Sequence, residues 1–94
     1  MKVTYALSAL EDLDAIDAWI SRDDPARAIT FVRALQDAAD DLVNGPSRFP
    51  LLDGDRYSDV RRRNHRGNRI LYRVAGEDIL ILHIHHGRRA TPDL

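Results

Sequence analysis

Several things are missing from this chain, and each absence narrows the reading. There is no cysteine among the 94 residues, which excludes disulfides and thiolate metal sites. Lysine is nearly absent: Lys2 stands alone, and the other thirteen basic residues are arginine. No basic-then-apolar leader opens the chain and no apolar run is long enough to span a bilayer, so a cytoplasmic protein with no membrane association is the expectation. Repeats, linkers and low-complexity stretches are also missing. So are a Ser-His-Asp order, a phosphate-cradling glycine loop and an HExxH motif.

What is present describes an ordinary folded chain with an uneven charge distribution. The hydrophobic fraction is 44% and the charged fraction 31%, both usual for a globular protein. The length suits one domain over residues 1–94. The net charge of −1 hides an asymmetry. Residues 1–55 carry five basic residues against eleven acids, a net −6, while residues 56–94 carry nine arginines against four acids, a net +5. A basic second half suggests an anionic ligand or partner there. Arginine's planar fork suits phosphate and carboxylate better than lysine's point charge.

In chain order, Lys2 to Ala6 reads as a short strand. Ser8 and Glu11 have the spacing of a capping box, followed by Leu10, Leu13, Ile16 and Ile20 at helical period. Asp24-Pro25 starts a second helix, with Asp24 as N-cap, and Ala28, Phe31, Val32, Leu35, Ala39, Leu42 and Val43 keep its period. Asn44-Gly45-Pro46 stops it. The short link predicts an antiparallel helical hairpin. Residues 46–59 read as a surface loop pinned by Phe49, Leu51 and Leu52. Val60 to Asn64 reads as a strand, with a turn around Arg66-Gly67-Asn68. The expected class is α+β: an N-terminal strand and a helical hairpin packed on one face of an antiparallel β-meander.

The organising stretch runs from Asn68 to Arg89. Two runs rich in β-branched and aliphatic residues flank a short loop at Gly76, a hairpin signature. Both alternating faces are apolar, so one face is expected to rest on helices and the other to be covered, part of the time, by a partner. With Val74 opposite Ile79, one face gathers Arg69, Leu71, Arg73, Leu80, Leu82, Ile84 and His86. Ile70, Tyr72, Val74, Ile79, Ile81 and His83 take the other. The first face is apolar in its middle and cationic at its rim, where Arg61, Arg62, Arg88 and Arg89 add to it. Such a surface binds phosphates or seats an amphipathic acidic segment; a solvated, anti-aggregation arginine edge is the plainer alternative.

His83 and His85 share a strand face, as metal ligands do, but no third ligand has persuasive spacing and the nearby arginines repel cations. No metal or other cofactor is expected. A histidine acting as general acid or base fits better, beside the plainer role of a half-buried strand residue. Trp19, next to Ile16 and Ile20, reads as packing rather than as a base-stacking platform.

The run Ala9 to Ile20 (ALEDLDAIDAWI) resembles the first helix of the ParE/RelE superfamily of toxins from bacterial toxin–antitoxin modules. Pro25-Ala26-Arg27-Ala28, then Phe31-Val32 and Leu35, is similar to the second helix. Arg69 to Val74 (RILYRV), an acidic turn, Ile79 to Ile84 and the His86-Gly87-Arg88-Arg89 ending resemble the strand pair. The resemblance spans nearly the whole chain and keeps the element order. It implies a helical hairpin on an antiparallel sheet and a cognate antitoxin that wraps the toxin.

The resemblance leaves the target open. In the RelE branch the activity is cleavage of messenger RNA on the ribosome, chemistry that needs a base, a charge stabiliser and an acid. Arg69 and Arg89 match that branch's phosphate-stabilising arginines, Arg62 stands where it has lysines, and its C-terminal tyrosine has no counterpart. His86 or His85 is then the substitute acid or base. The ParE branch inhibits DNA gyrase by binding. Trp19 in the first helix, RILYRV and the HGRR ending look more like this branch, which makes a non-hydrolytic gyrase poison the favoured expectation. A ribosome-dependent endoribonuclease is the alternative, and an antitoxin-binding co-repressor without toxicity is a third.

Overall fold

A computed structural model describes residues 1–52 and 59–86, the last by its backbone alone. The elements are β1 (Val3–Tyr5), α1 (Leu7–Ser21), α2 (Pro25–Asp40), a 3₁₀ turn (Asp41–Asn44), β2 (Arg61–His65), β3 (Asn68–Ala75) and β4 (Asp78–His86). The expected α+β fold is present. β2, β3 and β4 form the antiparallel meander, and the sheet order is β1-β4-β3-β2. β1 joins parallel to β4, with Val3 opposite Ile79 and Tyr5 opposite Ile81, so the sheet is mixed rather than wholly antiparallel. Among the described residues no helix is long and apolar enough to cross a membrane.

Turn chemistry fixes both hairpins. Arg66 and Gly67 form the two-residue tip between β2 and β3, with φ of +51° and +80°. Two positive φ values mark a type I′ turn, whose twist matches that of the strands. Glycine takes such a value freely, but for arginine the left-handed region costs about 1 kcal/mol. Gly76, at φ +63°, opens the tip between β3 and β4. Val74 lies opposite Ile79 as the sequence predicts.

The helices differ from expectation in detail. Asp24 caps α2 as predicted, its carboxylate accepting Arg27 N–H at 3.0 Å, with Pro25 as the first helical residue. The α-helix ends at Asp40 and tightens into the 3₁₀ turn before Gly45. No capping box forms at α1. The helix begins two residues earlier, after Ala6 instead of Ser8, and no side chain caps it. Ser8 lies inside the first turn and donates its hydroxyl to Leu82 O at 2.6 Å. The inward stripe runs through Ala9, Leu13 and Ile16; Leu10 is exposed.

The sheet separates two clusters. On the helix side, Ala9, Leu13, Leu35, Ala38, Ala39 and Leu42 pack on Ile70, Tyr72, Ile79, Ile81 and Ile84. Tyr72 is wholly buried, and its hydroxyl donates to Pro46 O at 2.6 Å. On the other side, Leu52 and Val60 cover Leu71, with Leu82 half-buried beside them. The segment before Leu52 wraps the outer edge of β2: Leu51 bridges Arg61, and Arg62 N–H donates to Pro50 O.

The two long edges of the sheet are treated differently. β1 covers β4 only to Ile81. Beyond it α1 takes over: Ser8 meets Leu82 O, and the Asp12 carboxylate accepts Ile84 N–H at 2.9 Å and His83 Nδ1 at 3.0 Å. A carboxylate only accepts, so the Nδ1 position of His83 carries a proton.

Candidate functional site

One feature of β4 rearranges the predicted face. Leu71 pairs with His83 while Tyr72 pairs with Ile81, so Leu82 is an extra residue opposite β3. A bulge of this kind shifts the side-chain phase by one. Ile84 therefore pairs with Ile70 and joins the helix-side core at 1% exposure, not the strip with Leu71. His83 leaves the helix-side set and binds Asp12. Leu71 keeps its predicted face but is fully buried beneath Leu52 and Val60. Leu80 and Leu82 remain half-exposed. The expected exposed strip of four aliphatic residues is thus reduced to two.

The arginines divide by what they touch. Arg61 and Arg63 point to the helix side, opposite Tyr72 and Ile70. Arg61 donates to Phe49 O at 2.7 Å, which takes it away from the predicted binding rim and makes it a clasp for the loop. Arg63 donates to Ala38 O and to the Asp41 carboxylate, and it stacks on Phe49 at 4.9 Å while Arg48 covers the same ring at 5.0 Å. Hydrogen bonds from Asn44, Arg48 and Arg63 hold the Asp41 carboxyl well below the usual carboxylate range.

Arg62, Arg69 and Arg73 project from the opposite, open face, as alternation along the strands requires. Arg73 lies 3.8 Å from Asp59. Arg62 and Arg69 have no ion pair among the described residues, and the Nε of Arg69 is enclosed without a hydrogen-bond partner. Asn64 and His85 flank Arg69 in the register. Burial, with Arg63 and Arg66 nearby, pushes the pKa of His65 below that of a free imidazole. The His86 side chain, Arg88 and Arg89, all singled out in the sequence, lie outside the described residues.

Trp19 is 71% exposed, with Arg22 stacked 5.4 Å from its ring centre, so it is not core packing as the sequence suggests. It borders a cleft of about 640 Å³ between the helical hairpin and the end of the sheet, lined by Asp12, Ile16, Ile20, Phe31 and Ile84 among others. Sequence reasoning missed this cleft. Its one advance sign is an indole on a helix whose inward stripe is already filled by smaller residues.

The chain is similar in fold to the chromosomal ParDE toxin–antitoxin system of P. aeruginosa, with a TM-score of 0.77 and 24% identity over 92% of this chain and 95% of that one. It is also similar to the toxin–antitoxin complex RelBE2 of Mycobacterium tuberculosis, with a TM-score of 0.69 and 24% identity over 90% of this chain and 95% of that one. The YoeB/ParE toxin of Agrobacterium tumefaciens gives a TM-score of 0.65 and 22% identity over 92% of this chain and 98% of that one. No curated protein matches the chain. The model of the family described as the ParE toxin of the type II toxin–antitoxin system parDE matches residues 3–91, and the chain belongs to that family.

Proposed function

We propose that this toxin arrests growth by binding DNA gyrase, without hydrolysing a substrate, and that a cognate antitoxin neutralises it. The observation that carries the reading is the composition of the open face. Arg62 and Arg69 stand there without an ion pair among the described residues, ready for phosphate or carboxylate, while His83 is tied to Asp12. Guanidinium groups, being always protonated, suit binding better than proton transfer. Membership of the ParE family supports the same reading. The antitoxin expected here presents acids to Arg62, Arg69 and Arg73 and aliphatic side chains to Leu80 and Leu82. Reversing the charge of Arg69 and Arg73 weakens that complex more at low salt than at high salt.

Induction without antitoxin is expected to cause filamentation, and the purified protein to block supercoiling. Rapid messenger RNA cleavage on ribosomes with supercoiling intact would overturn the reading. That outcome belongs to the endoribonuclease alternative, favoured by one observation: His85 lies directly opposite Arg69. In that case Arg69→Ala and His85→Gln each lower cleavage on the order of 10²-fold. Harmless overexpression would leave only the antitoxin-binding co-repressor.

A further inference from the structure

A second, smaller notch of about 280 Å³ lies between α2 and the β2–β3 tip, lined by Arg27, Thr30, Phe31 and Arg66. We propose that this notch is an anion site that takes a backbone phosphate of a nucleic acid, continuing a cationic track from the open face around the hairpin tip.

Three observations carry this. First, neither guanidinium has an ion pair among the described residues, whereas Arg48, Arg63 and Arg73 each have an acid. The nearest acid along the chain, Asp24, is turned to the backbone N–H of Arg27. The Thr30 hydroxyl donates to Ala26 O, so the two guanidiniums are the notch's outward donors. Second, Arg66 occupies a left-handed turn position at φ +51°. Asparagine or glycine fits that position with less strain, but neither has the reach to bring a cation to the notch. Third, Arg66 follows directly on the strand that carries Arg62, roughly 13 Å away at strand spacing, and Arg69 lies opposite Asn64 between them. Two guanidiniums in the notch and two more along the sheet, none with an ion pair among the described residues, suit a ligand whose charge repeats along its length. A lone carboxylate pairs with one guanidinium.

The inference goes beyond the choice of target, because DNA and RNA both present phosphodiesters. It is read without gyrase or ribosomes: the full-length protein is titrated onto labelled single-stranded DNA, single-stranded RNA and duplex DNA over a range of salt. Arg66→Asn and Arg27→Ala are each expected to weaken binding several-fold. Each should lower the slope of log affinity against log salt by about 0.9 on duplex or about 0.7 on single strands. Arg66→Asn also relieves the turn, so its melting temperature is expected to hold or rise. Arg33→Ala, exposed on α2 and outside the lining of the notch, is the control and is expected to change neither quantity. Four results would overturn the proposal: no measurable oligonucleotide binding by the parent chain; unchanged slopes in both notch variants; an equal effect from Arg33→Ala; or notch variants that loosen an antitoxin complex yet bind oligonucleotides normally. The last would identify the ligand as a peptide carboxylate. Whichever oligonucleotide shows the larger loss identifies the nucleic acid.

Discussion

The two faces of one sheet have been put to different uses. The helix-facing side is closed by two helices, with five residues of β3 and β4 in its core and its flanking arginines bonded to carbonyls or to Asp41. The open side has a small patch, Leu52, Val60 and Leu71, and beyond it Arg73 near Asp59 and Arg62 and Arg69, which have no ion pair among the described residues. Burial on the first side holds the fold together. The second contributes little stability and keeps its charges available. Alternation along β3 delivers both, because neighbouring residues such as Leu71 and Tyr72 face opposite ways.

The contrast is tested most severely on the closed side. Tyr72→Ala removes a wholly buried ring and leaves Pro46 O without its donor, and is expected to cost roughly 3–5 kcal/mol in equilibrium urea unfolding. A loss below about 1 kcal/mol would mean that the helix side is not the main core. Next comes the seam between α1 and β4. Asp12→Asn weakens the contacts to His83 and Ile84 and is expected to cost about 1–3 kcal/mol, with faster amide exchange at Ile84 than elsewhere in β4. Uniform exchange would deny that the carboxylate holds this edge.

A smaller effect, confined to acid, is expected at Asp41. Its carboxyl is held below the unfolded value of 3.8. Its stabilising contribution is therefore complete above that value and is lost as pH falls through the lower folded value. Asp41→Asn should lower the melting temperature near neutrality and flatten its decline in acid. Parallel melting curves for the two proteins would contradict this. The smallest stability change is expected on the open face: Arg62→Ala shifts unfolding by no more than about 0.5 kcal/mol while reducing toxicity. A large destabilisation there would erase the distinction between the faces.

Much of this architecture is legible in the residues. Asp24-Pro25 marks the start of α2, Gly76 marks the hairpin, and the run of helical and strand periods gives the element order. The failures are instructive because each is tertiary. Ser8 has the spacing of a cap, yet the Leu82 carbonyl offers its hydroxyl a partner that local sequence does not show. Ile84 follows strict alternation only until Leu82 bulges, and nothing in a run of aliphatic residues marks where the extra one falls. Leu71 reads as exposed because periodicity cannot say that Leu52 and Val60 fold over it. Of the candidate site, the arginine-bearing face of β3 is legible, with Arg69 and Arg73 where alternation puts them. The engagement of Arg61 by a loop carbonyl is not, because it depends on a path with no period.

The way α1 seals β4 has a consequence for crowding. A neighbouring molecule that tries to extend the sheet by strand addition meets a hydroxyl and a carboxylate already seated on the amide and carbonyl it would need. At the far side, Pro50 and Leu51 occupy the start of β2, so the described chain leaves only Arg63 to His65 as a landing strip. So short and charged a strip is a poor template for stacking one copy on the next. A protein with a greasy, double-sided ribbon at its heart is in this way kept from polymerising through it.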